Sequence, residues 1–317
     1  MSLAHSGHDH SHGMAKKSLR LAFFLTLLIL LATVLGGWFA NSLALLSDAG
    51  HTITDLFALG LAWFAAAQAE RPANGRKTFG YHRVGILAAL LNALTLIGIA
   101  VFICWEAVQR IQHPAVVNPW IMFVSATVAV LVNLFIAFAL RSESTNLNVR
   151  AASLHVLGDV AASLGVILAG VLILFTGWQV VDPLLSISIA LLVAWGAWRI
   201  LRETVDILLE SAPRAIPVPQ LAKDMGEVDG VQAVHDLHVW TIANGMYALS
   251  AHVLIDNLPS SDSALILQQL TSLLNQRYQI MHTTIQFECV AHPGACCGKD
   301  LLYCQLELAH SHDHEHA

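Results

Sequence analysis

Long apolar runs occupy most of the first 209 residues of the chain. A helix needs about 20 apolar residues to span a bilayer, and six segments reach or approach that length. They cover residues 21–40, 43–69, 84–105, 119–140, 151–181 and 183–198, the last of which is short but can extend through Arg199. The pattern predicts six transmembrane helices, and an even number of spans puts both termini on one side of the membrane.

The pattern of apolar positions changes after residue 209. A proline-punctuated linker over residues 211–220 leads into shorter segments that are typical of a soluble domain. The predicted elements, in chain order, are a short helix over residues 219–228, strands that begin at Val231 and Met246, a helix over residues 260–278 and a strand that begins at His282. Asn244-Gly245 is a strong hairpin turn signal between the first two strands. The order α-β-β-α-β fits a small α+β domain.

Composition agrees with a membrane protein. Of the 317 residues, 56% are hydrophobic and only 12% are charged, and the mean hydropathy is +0.62, whereas about a quarter of an ordinary soluble domain is charged. The formal net charge of -6 and the lack of a basic stripe with interleaved aromatic residues argue against a nucleic-acid partner. The first apolar run is long enough to stay in the membrane, and we expect no cleavable signal peptide before it.

The distribution of Lys and Arg predicts the orientation of the spans. Arg110 falls on one face of the membrane, and the other basic residues near the spans fall on the opposite face. These are Lys16, Lys17, Arg20, Arg71, Arg76, Lys77, Arg83, Arg141, Arg150, Arg199 and Arg202. By the positive-inside rule, we expect both termini in the cytoplasm. The expected location is the lipid bilayer of a bacterial inner (plasma) membrane. The cysteines are then expected to be reduced thiols that bind metal rather than disulfides.

Histidine-rich segments lie at both ends of the chain. Ser, Gly, Asp or Glu separate their histidines, which are His5, His8, His10, His12, His310, His312, His314 and His316. Such segments cannot build a core and are typical of disordered, metal-collecting tails, which we predict over residues 1–17 and 306–317. An appended tag is the alternative, but the alternation with Ser and Asp argues against it.

Two pairs of ionisable residues lie within otherwise apolar spans. His51 and Asp55 are four residues apart in the second span, and His155 and Asp159 repeat this spacing in the fifth. Residues four apart share one face of a helix, so two facing helices would supply two imidazoles and two carboxylates, a set suited to tetrahedral Zn²⁺. A charged side chain at the bilayer centre costs at least about 2.5–3.5 kcal/mol. This cost favours a metal site over two His–Asp pairs that only join helices.

Other polar residues accompany these pairs. Asp48 lies near the face of His51, about one turn closer to the start of the second span. Its role stays open among three: it lines the extracytoplasmic mouth of the site, it caps the helix together with Ser47, or it is a further ligand. The asparagines at or within spans are Asn41, Asn92 and Asn133. They are expected to hydrogen bond between helices, and Asn92 is also a candidate to support the metal ligands.

Long strings of the sequence resemble the cation diffusion facilitators, in particular the ZnT-like branch of zinc exporters. The strings are NSLALLSDAGHTITD in the second span, FGYHRVGILAALLNAL at the third, NLNVRAASLHVLGDVAASLGVI in the fifth, DPLLSISIALL in the sixth, and VHDLHVW and LSAHVLI in the soluble domain. The resemblance covers nearly the whole chain. It implies a homodimeric antiporter that exchanges metal for H⁺ by alternating access, with its transport site at His51, Asp55, His155 and Asp159. In this family a His as the first ligand accompanies zinc preference, and an Asp there widens the choice of metal.

The resemblance also implies a ferredoxin-like, metallochaperone-like cytoplasmic domain that dimerises and binds metal. The residues that match positions used by ZnT-like members are His235, His252, His282 and Glu288. His238 is three residues from His235, so in a regular strand it faces the opposite side, and we expect it to pack beside Trp240.

The cysteines depart from the pattern of the ZnT-like branch, which ends this domain with a Cys-x-x-Cys pair. Here Cys296 and Cys297 are adjacent, and Cys304 follows seven residues later. Cys296 and Cys297 are still candidate metal ligands, and His292 is a further one. The alternative for all the cytoplasmic candidates is a set of hydrogen-bonded surface residues without metal.

The loop between the second and third spans also differs from part of the family. Some bacterial members bind a second metal there through Asp and His, but this loop has His82 as its only histidine and no aspartate, so we do not expect that site. Arg76 or Lys77 is expected to pair with Asp206 or Glu210 at the membrane–cytoplasm boundary, or to contact lipid phosphates.

The sequence therefore predicts a membrane α-helical protein with six transmembrane helices over residues 18–209 and a cytoplasmic α+β dimerisation and metal-binding domain over residues 210–305. The expected function is secondary active export of Zn²⁺, and of similar ions such as Cd²⁺, in exchange for H⁺, without enzymatic activity. Zn²⁺ is also the expected ligand of the cytoplasmic domain. The less favoured alternatives are a membrane metal sensor or receptor, and an intramembrane metalloenzyme, which would need an open metal position and a general base.

Overall fold

The computed structural model describes the backbone over residues 9–141, 147–243 and 245–289, and side chains over residues 24–138, 156–243 and 245–289. Contacts divide the chain into two compact units. The first unit consists of Met1–Trp63 and Ala88–Leu201, and the second of Phe64–Leu87 and Arg202–Ala317. The second unit therefore includes the loop between the second and third helices as well as the C-terminal domain.

Six long helices precede the C-terminal domain in the described part of the chain. They are α1 (Asp9–Ala40), α2 (Leu43–Ala69), α3 (Val84–Gln112), α4 (Pro119–Arg141), α5 (Leu147–Thr176) and α6 (Val181–Leu208). By length and composition, α2 to α6 supply five stretches that can cross a bilayer, and α1 adds a shorter apolar stretch, Phe24–Ala40, among the residues with described side chains. The backbone of α1 begins inside the segment that the sequence predicts to be a tail.

Small residues let the helices of the first unit approach closely. A Cβ atom on Gly36 of α1 would overlap the side chain of Ser125 on α4, and one on Gly50 of α2 would lie 3.3 Å from Ile99 on α3. Lipid tails are as apolar as the side chains they contact, so close packing of small residues is what holds membrane helices together. The contact at Gly50 fixes α2 at the residue just before His51.

The start of α2 is fixed by Asp182 at the start of α6. Oδ2 of Asp182 accepts a hydrogen bond from the backbone N–H of Leu43 at 2.7 Å, and Oδ1 accepts one from the Ser42 hydroxyl and one from the N–H of Ala44 at 3.3 Å. The first N–H groups of a helix have no partner within it, and a carboxylate is favourable at the positive end of the helix dipole. A residue distant in sequence thus caps the helix that carries two predicted metal ligands.

The fifth helix ends at Thr176 and not at residue 181, and it begins at Leu147, before the predicted start at residue 151. Gly177 has a φ of 71°, and its backbone N–H donates to the carbonyl oxygen of Ile173. This is the left-handed helix ending that glycine favours, since it has no Cβ atom to clash. The sixth helix is longer than predicted, with 28 residues from Val181 to Leu208.

The C-terminal part of the second unit is a small α+β domain. Its elements are α7 (Val218–Gly226), β1 (Val231–Ala243), β2 (Met246–Ile255), α8 (Ser260–Tyr278) and β3 (Ile280–Cys289), in the order that the sequence predicts. The sheet has the strand order β1-β2-β3 and is mixed, because β2 pairs antiparallel with β1 and parallel with β3. The two helices cover one sheet face, and the core between them includes Leu221, Met225, Leu249, Val253, Leu270 and Leu274.

A buried carboxylate joins α7 to α8 in this domain. Asp224 accepts hydrogen bonds from the Tyr278 hydroxyl and from the Gln220 amide, and Nη1 of Arg277 lies 2.6 Å away. The hydrogen bond from Tyr278 is the main cause that lowers the pKa of Asp224 from its ordinary value. Burial, followed by the bond to Asp224, raises the pKa of Tyr278 to about 12. The pair therefore keeps a carboxylate and a protonated hydroxyl together over a wide pH range.

A bulge interrupts β1 at Asp236. His235 pairs with His252 and His238 pairs with Ser250, so two residues of β1 stand opposite one residue of β2. Asp236 has a left-handed backbone with φ 47°, which Asp tolerates better than most residues. A bulge adds one residue to the strand and so changes the alternation of side chains. His235 and His238 therefore lie on the same sheet face, and the prediction that they face opposite sides is wrong.

Candidate metal centres

The second and fifth helices bring three of the four predicted transport ligands together. Nε2 of His51 lies 3.6 Å from Oδ2 of Asp55, one turn further along α2, and 3.8 Å from Oδ1 of Asp159 on α5. In a tetrahedral site with Zn–N and Zn–O bonds of about 2.0–2.2 Å, neighbouring ligand atoms are about 3.3–3.6 Å apart. Each of the two distances from His51 is close to this range, whereas the two carboxylates do not lie within 4.8 Å of each other through the same oxygen atoms.

The fourth predicted ligand, His155, lies on α5 four residues before Asp159, but its side chain is outside the described residues. Its spacing puts it on the same helix face as Asp159. The side chains of His51, Asp55 and Asp159 are 24%, 32% and 26% exposed. These three side chains, named the membrane cluster, are thus partly exposed.

Asp48 is buried on α2, and its position excludes one of its three predicted roles. The helix begins five residues earlier, at Leu43, where Asp182 accepts the first backbone N–H groups. The carbonyl oxygen of Asp48 accepts a hydrogen bond from the Thr52 hydroxyl at 3.0 Å, as expected within a helix. Capping of α2 by Asp48 and Ser47 is therefore wrong, while the mouth-lining and ligand roles stay predictions.

The asparagines of the spans have different surroundings. The amide of Asn41 donates to the carbonyl oxygen of Val116 at 3.3 Å, which links the end of α1 to the segment before α4. Asn133 is buried on α4. The buried Oδ1 atom of Asn92 on α3 has no hydrogen-bond partner among the described residues. Its role in supporting the metal ligands stays a prediction.

A second cluster lies on the sheet of the C-terminal domain, on the face away from α7 and α8. His235 of β1, His252 of β2 and Glu288 of β3 offer ligand atoms that all lie within 4.8 Å of one another. Nε2 of His235 is 3.3 Å from Oε2 of Glu288, and Nδ1 of His252 is 3.1 Å from Oε1. The strand register explains this meeting, because His235 pairs directly with His252, and Glu288 pairs with Leu254 two residues along β2.

The donors of this sheet cluster fit a zinc ion. Two imidazoles and a carboxylate form a known zinc ligand set that leaves a fourth position for water or another ligand. The side chains of His235, His252 and Glu288 are only 3%, 15% and 7% exposed. Nδ1 of His235 is buried without a hydrogen-bond partner in the described part of the chain, and buried polar groups are seldom left so without a functional reason.

The structure does not bring His282 to the sheet cluster. His282 pairs with Ala248, four residues along β2 from His252, which is about 13 Å at the usual rise of about 3.3 Å per residue. Its exposed ring lies against Phe79, with 5.1 Å between the ring centroids. The remaining predicted cytoplasmic candidates lie outside the described residues, and these are His292, Cys296 and Cys297.

Two carboxylates with marked contacts received no role from the sequence. One is Asp182, whose partner Ser42 is 140 residues away, so no local pattern indicates the contact. The other is Asp236, whose Oδ1 lies 2.9 Å from Nε2 of His238 and whose Oδ2 lies 3.7 Å from Nε2 of His252. Asp236 lies between two histidines in VHDLHVW, and this sequence pattern could have indicated that its carboxylate contacts a histidine.

The ion pairs of the second unit differ from those that the sequence predicts. Arg83 pairs with Glu210 at 3.1 Å and Arg214 pairs with Asp206 at 3.0 Å. Nζ of Lys77 instead lies 4.7 Å from the ring centroid of Tyr81. The two acids that were expected to pair with Arg76 or Lys77 are thus bonded to other arginines.

The described chain has helices of membrane-spanning length, and two of them carry a His/Asp cluster. Its C-terminal domain carries a His/His/Glu cluster. These features define an integral membrane protein that handles metal ions. Two family models identify the family. The cation efflux transmembrane domain matches residues 19–209, and the cation efflux protein cytoplasmic domain matches residues 213–290. The chain belongs to the cation efflux family, the cation diffusion facilitators, and it is a transporter and not an enzyme.

Relatives of similar length carry names that refer to metal transport. The chain is 39% identical to the zinc transporter ZitB of Escherichia coli (strain K12), over 97% of this chain and 99% of the relative. It is 38% identical to the cadmium, cobalt and zinc/H(+)-K(+) antiporter of Bacillus subtilis (strain 168), over 98% and 99% of the two chains. A solved structure, the metal-bound C-terminal domain of the CzcD transporter, matches at 32% identity and a TM-score of 0.21, and covers 23% of this chain and 99% of that chain.

Proposed function

We propose that this chain exports Zn²⁺ from the cytoplasm in exchange for H⁺ by alternating access, through a site formed by His51, Asp55, His155 and Asp159. The observation that carries the proposal is the approach of His51 to the carboxylates of Asp55 and Asp159, within 3.8 Å, on two different helices. The names of the Escherichia coli and Bacillus subtilis relatives both refer to zinc, and the second also refers to cadmium. Cd²⁺ is accordingly a second proposed substrate.

The chemistry of these ligands supports the coupling to protons. Zinc binds to neutral imidazole and to ionised carboxylate, so metal ions and protons compete for the same lone pairs. An unperturbed imidazole titrates near about pH 6.5, within the range that a cell maintains across its membrane. A site that opens to a more acidic exterior would take up protons and release its metal. Downhill movement of H⁺ would then drive zinc uphill.

The proposal includes the arrangement of the whole chain. The transmembrane domain covers residues 18–209 and the cytoplasmic domain residues 210–305, between histidine-rich tails at 1–17 and 306–317. Both termini lie in the cytoplasm, as the distribution of Lys and Arg indicates. The proposed location is a bacterial inner membrane. The element order α7-β1-β2-α8-β3 supports a ferredoxin-like, metallochaperone-like domain. The matching model of this domain has the name ZT_dimer, which supports a homodimer.

The sheet cluster is the proposed cytoplasmic zinc centre. His235, His252 and Glu288 would hold the ion, which would supply a rigid link between the three strands. Cys296 and Cys297 stay predicted ligands of the same domain. His282 is not included, because its position on β3 is about 13 Å from His252 along the strand direction.

Zinc-driven proton flux in proteoliposomes tests the transport proposal. Asp159→Ala removes a ligand and should abolish the flux. Glu106→Gln is a matched control, because Glu106 is an acid of α3 that pairs with Arg110 at 3.0 Å and has no part in the membrane cluster. The control should retain most of the flux. Undiminished flux in Asp159→Ala would overturn the assignment of the transport site.

A further inference from the structure

The loop between α2 and α3 and the C-terminal domain together line a cavity in the second unit. Its volume is about 850 Å³, within the range of about 300–1,000 Å³ that is usual for ligand sites. Residues 76–80 and Arg83 line it from the loop, and residues of β1 and of the segment after α6 line it from the domain. Arg83 pairs with Glu210 at 3.1 Å, and the ring centroids of Phe79 and His282 lie 5.1 Å apart. These two contacts join the loop to the domain around this loop cavity.

The charged side chains that line the loop cavity are mainly cationic. Three cations, Arg76, Lys77 and Arg83, stand there with one acid, Glu210, so two positive charges are in excess when His238 is counted as neutral. The acid is already bonded to Arg83. Arg76 and Lys77 are exposed and have no carboxylate partner among the described residues. The cavity therefore favours an anion.

Other cations of the same unit differ from Arg76 and Lys77 in this respect. Arg214 pairs with Asp206 at 3.0 Å, and Lys223 lies 3.7 Å from Glu227. Lys77 instead has its Nζ atom 4.7 Å from the ring centroid of Tyr81, a contact that leaves its charge uncompensated. The excess of positive charge is thus a local property of the loop cavity.

Asn74 fixes the backbone that carries these two cations. Its Oδ1 accepts hydrogen bonds from the N–H groups of Arg76 and Lys77 at 3.0 and 3.1 Å, and its backbone exchanges hydrogen bonds with Lys77 at 3.2 and 3.0 Å. The Asn74 amide also donates to the Tyr81 hydroxyl at 3.1 Å. A loop that is already ordered loses less entropy when it binds a ligand. Arg76 and Lys77 are therefore held side by side before an anion arrives.

The chain keeps the loop cavity within a few residues of three apolar helices. The loop begins after α2 ends at Ala69 and leads into α3 at Val84, and Glu210 follows the end of α6 by two residues. Large apolar side chains of the second unit that are at least half exposed lie near these helix ends in sequence. They are Phe64, Leu87 and Leu209. Such side chains suit the acyl chains of a lipid whose headgroup enters the cavity.

We propose that the loop cavity binds the headgroup of an anionic phospholipid, and that Arg76 and Lys77 contact its phosphate oxygens. The inference goes beyond metal transport and shares with the proposed function only the cytoplasmic position of the loop. Basic pockets on the cytoplasmic side of membrane helices bind anionic headgroups, and a guanidinium binds phosphate with two parallel hydrogen bonds. A zwitterionic lipid adds an ammonium group, which the excess positive charge disfavours. A free phosphate ion has no acyl chains for the apolar helix ends.

The remaining side chains of the cavity suit the same ligand. Thr78 and Ser250 line it, and their hydroxyls make no hydrogen bond within the described residues, so they can donate to phosphate or glycerol oxygens. Phe79 is half exposed and Trp240 partly exposed at the same cavity. Tryptophan is enriched at the headgroup level of membranes, where its ring contacts both lipid and water.

Native mass spectrometry of the full-length protein in detergent measures the affinity. The protein is titrated with phosphatidylglycerol, which has a net negative charge, and separately with zwitterionic phosphatidylcholine. The wild type should bind one phosphatidylglycerol per chain more tightly than phosphatidylcholine. Each Lys or Arg near an anionic headgroup contributes about fivefold in affinity. Arg76→Gln/Lys77→Gln should therefore weaken the binding of phosphatidylglycerol by about 25-fold and leave phosphatidylcholine unchanged.

Two further double variants serve as controls. Arg214→Gln/Lys223→Gln removes the same charge from the same unit outside the cavity lining and should leave the affinity unchanged. Arg76→Lys/Lys77→Arg keeps the charge and should keep most of the affinity. An equal loss in either control would overturn the inference, because it would trace the effect to general charge or to the shape of the loop. So would equal binding of the two lipids by the wild type.

Hydrogen exchange in lipid nanodiscs locates the lipid and separates it from free phosphate. Nanodiscs that contain phosphatidylglycerol should slow amide exchange over residues 74–81, relative to pure phosphatidylcholine, in the wild type but not in Arg76→Gln/Lys77→Gln. Inorganic phosphate added to phosphatidylcholine nanodiscs should give no such protection. Equal protection by phosphate would assign the cavity to a soluble anion, and protection that persists in the variant would place the lipid elsewhere. Either result overturns the inference. Neither readout involves zinc, so the transport proposal and this one can fail independently.

Discussion

The membrane cluster and the sheet cluster contain the same kinds of ligand, but the protein surrounds them differently. In the membrane, Nε2 of His51 stands 3.6 and 3.8 Å from two carboxylate oxygens, and the side chains are between a quarter and a third exposed. In the sheet, the histidine nitrogens stand 3.1 and 3.3 Å from Glu288, which is almost fully buried with His235. The sheet cluster is the tighter and the drier of the two.

The difference matches two different tasks. The membrane ligands are carried by α2 and α5, and packed helices can shift relative to one another without breaking backbone hydrogen bonds. The sheet ligands are carried by three strands that are hydrogen bonded to each other, so they cannot separate without loss of the sheet. We therefore expect rapid exchange of metal in the membrane cluster and slow exchange in the sheet cluster.

We expect the largest effect on zinc transport from the loss of one charged ligand in the membrane cluster. Asp159→Asn keeps the size of the side chain and removes its charge, and it should lower zinc transport by more than about 100-fold, since loss of a ligand exceeds the 10–100-fold cost of losing a supporting group. Zinc uptake into proteoliposomes, followed with a trapped zinc-sensitive dye, measures the effect.

Glu288→Gln is the matched variant for this comparison. It removes one charge from the sheet cluster, and transport at saturating zinc should stay within about threefold of the wild type, as for a site outside the translocation path. If Glu288→Gln abolishes transport as fully as Asp159→Asn does, the two clusters are not separate in function and the comparison fails.

Removal of metal should have the next largest effect, and it should act on the sheet alone. At zinc concentrations about 100 times the dissociation constant, bound metal stabilises the folded state by about 2.7 kcal/mol, which corresponds to about 100-fold slower amide exchange. A chelator should therefore accelerate hydrogen exchange near His235 and Glu288 by about this factor. Amides of α2 and α5 should change little. Equal acceleration in the helices would contradict the difference in rigidity.

A change of ligand type should have a smaller effect on the membrane cluster. His51→Asp replaces an imidazole by a carboxylate, and carboxylates suit Mn²⁺ better than imidazoles do. We expect the ratio of Mn²⁺ to Zn²⁺ transport to rise by about tenfold, a shift of about 1.4 kcal/mol in relative preference. Parallel uptake assays with the two ions measure the ratio. His113→Asp, in the segment after α3, is a control that should leave the ratio unchanged.

The smallest effect concerns the support beneath the sheet. Tyr278→Phe removes the hydrogen bond to Asp224 and should accelerate amide exchange in α8 and β2 by about fivefold, as for the net loss of one hydrogen bond of about 1 kcal/mol. Zinc transport should not change. The matched variant Tyr247→Phe, with no hydrogen bond between its hydroxyl and the described residues, should leave exchange in α8 unchanged.

The pH dependence of that effect follows from the two pKa shifts. The pKa of Asp224 is lowered by Tyr278, so the stabilisation is present above the ordinary Asp pKa of about 3.9 and is lost as pH falls through the lower folded value. The pKa of Tyr278 is raised to about 12, so its contribution is present below about pH 10 and is lost as pH rises toward 12. The difference between wild type and Tyr278→Phe should be constant between these limits. A difference that varies near neutral pH would contradict the assignment.

Periodicity predicted most of the fold because each element follows a local pattern. The helices Leu43–Ala69 and Ser260–Tyr278 begin and end at the predicted residues. The end of α5 was misplaced, because Gly177 lies inside an apolar run, and apolar character alone does not distinguish a helix from its left-handed ending. The length of α6 was underestimated, since its last two turns leave the apolar pattern while the helix continues.

The sequence predicts which ligands lie together when they share one helix. It predicts this less well when the position of a side chain depends on how two strands pair. The four-residue spacing of His51 and Asp55 puts them on one face whatever lies around them. The face of His238, in contrast, depends on a bulge, which is set by pairing with β2 and not by the residues of β1 alone. The cap by Asp182 depends on contact between distant segments, and no local pattern encodes it.

The bulge at Asp236 has a consequence for insertions and deletions in this domain. Removal of one residue from a strand normally turns every following side chain to the other face. Here the strand already contains one extra residue, so deletion of Asp236 would restore regular pairing with His235 and His238 still on one face and Leu237 still in the core. The shortened chain would keep its packing and lose one carboxylate. At this position, a change of one residue in strand length can therefore remove a carboxylate from the sheet face while the fold of the domain stays the same.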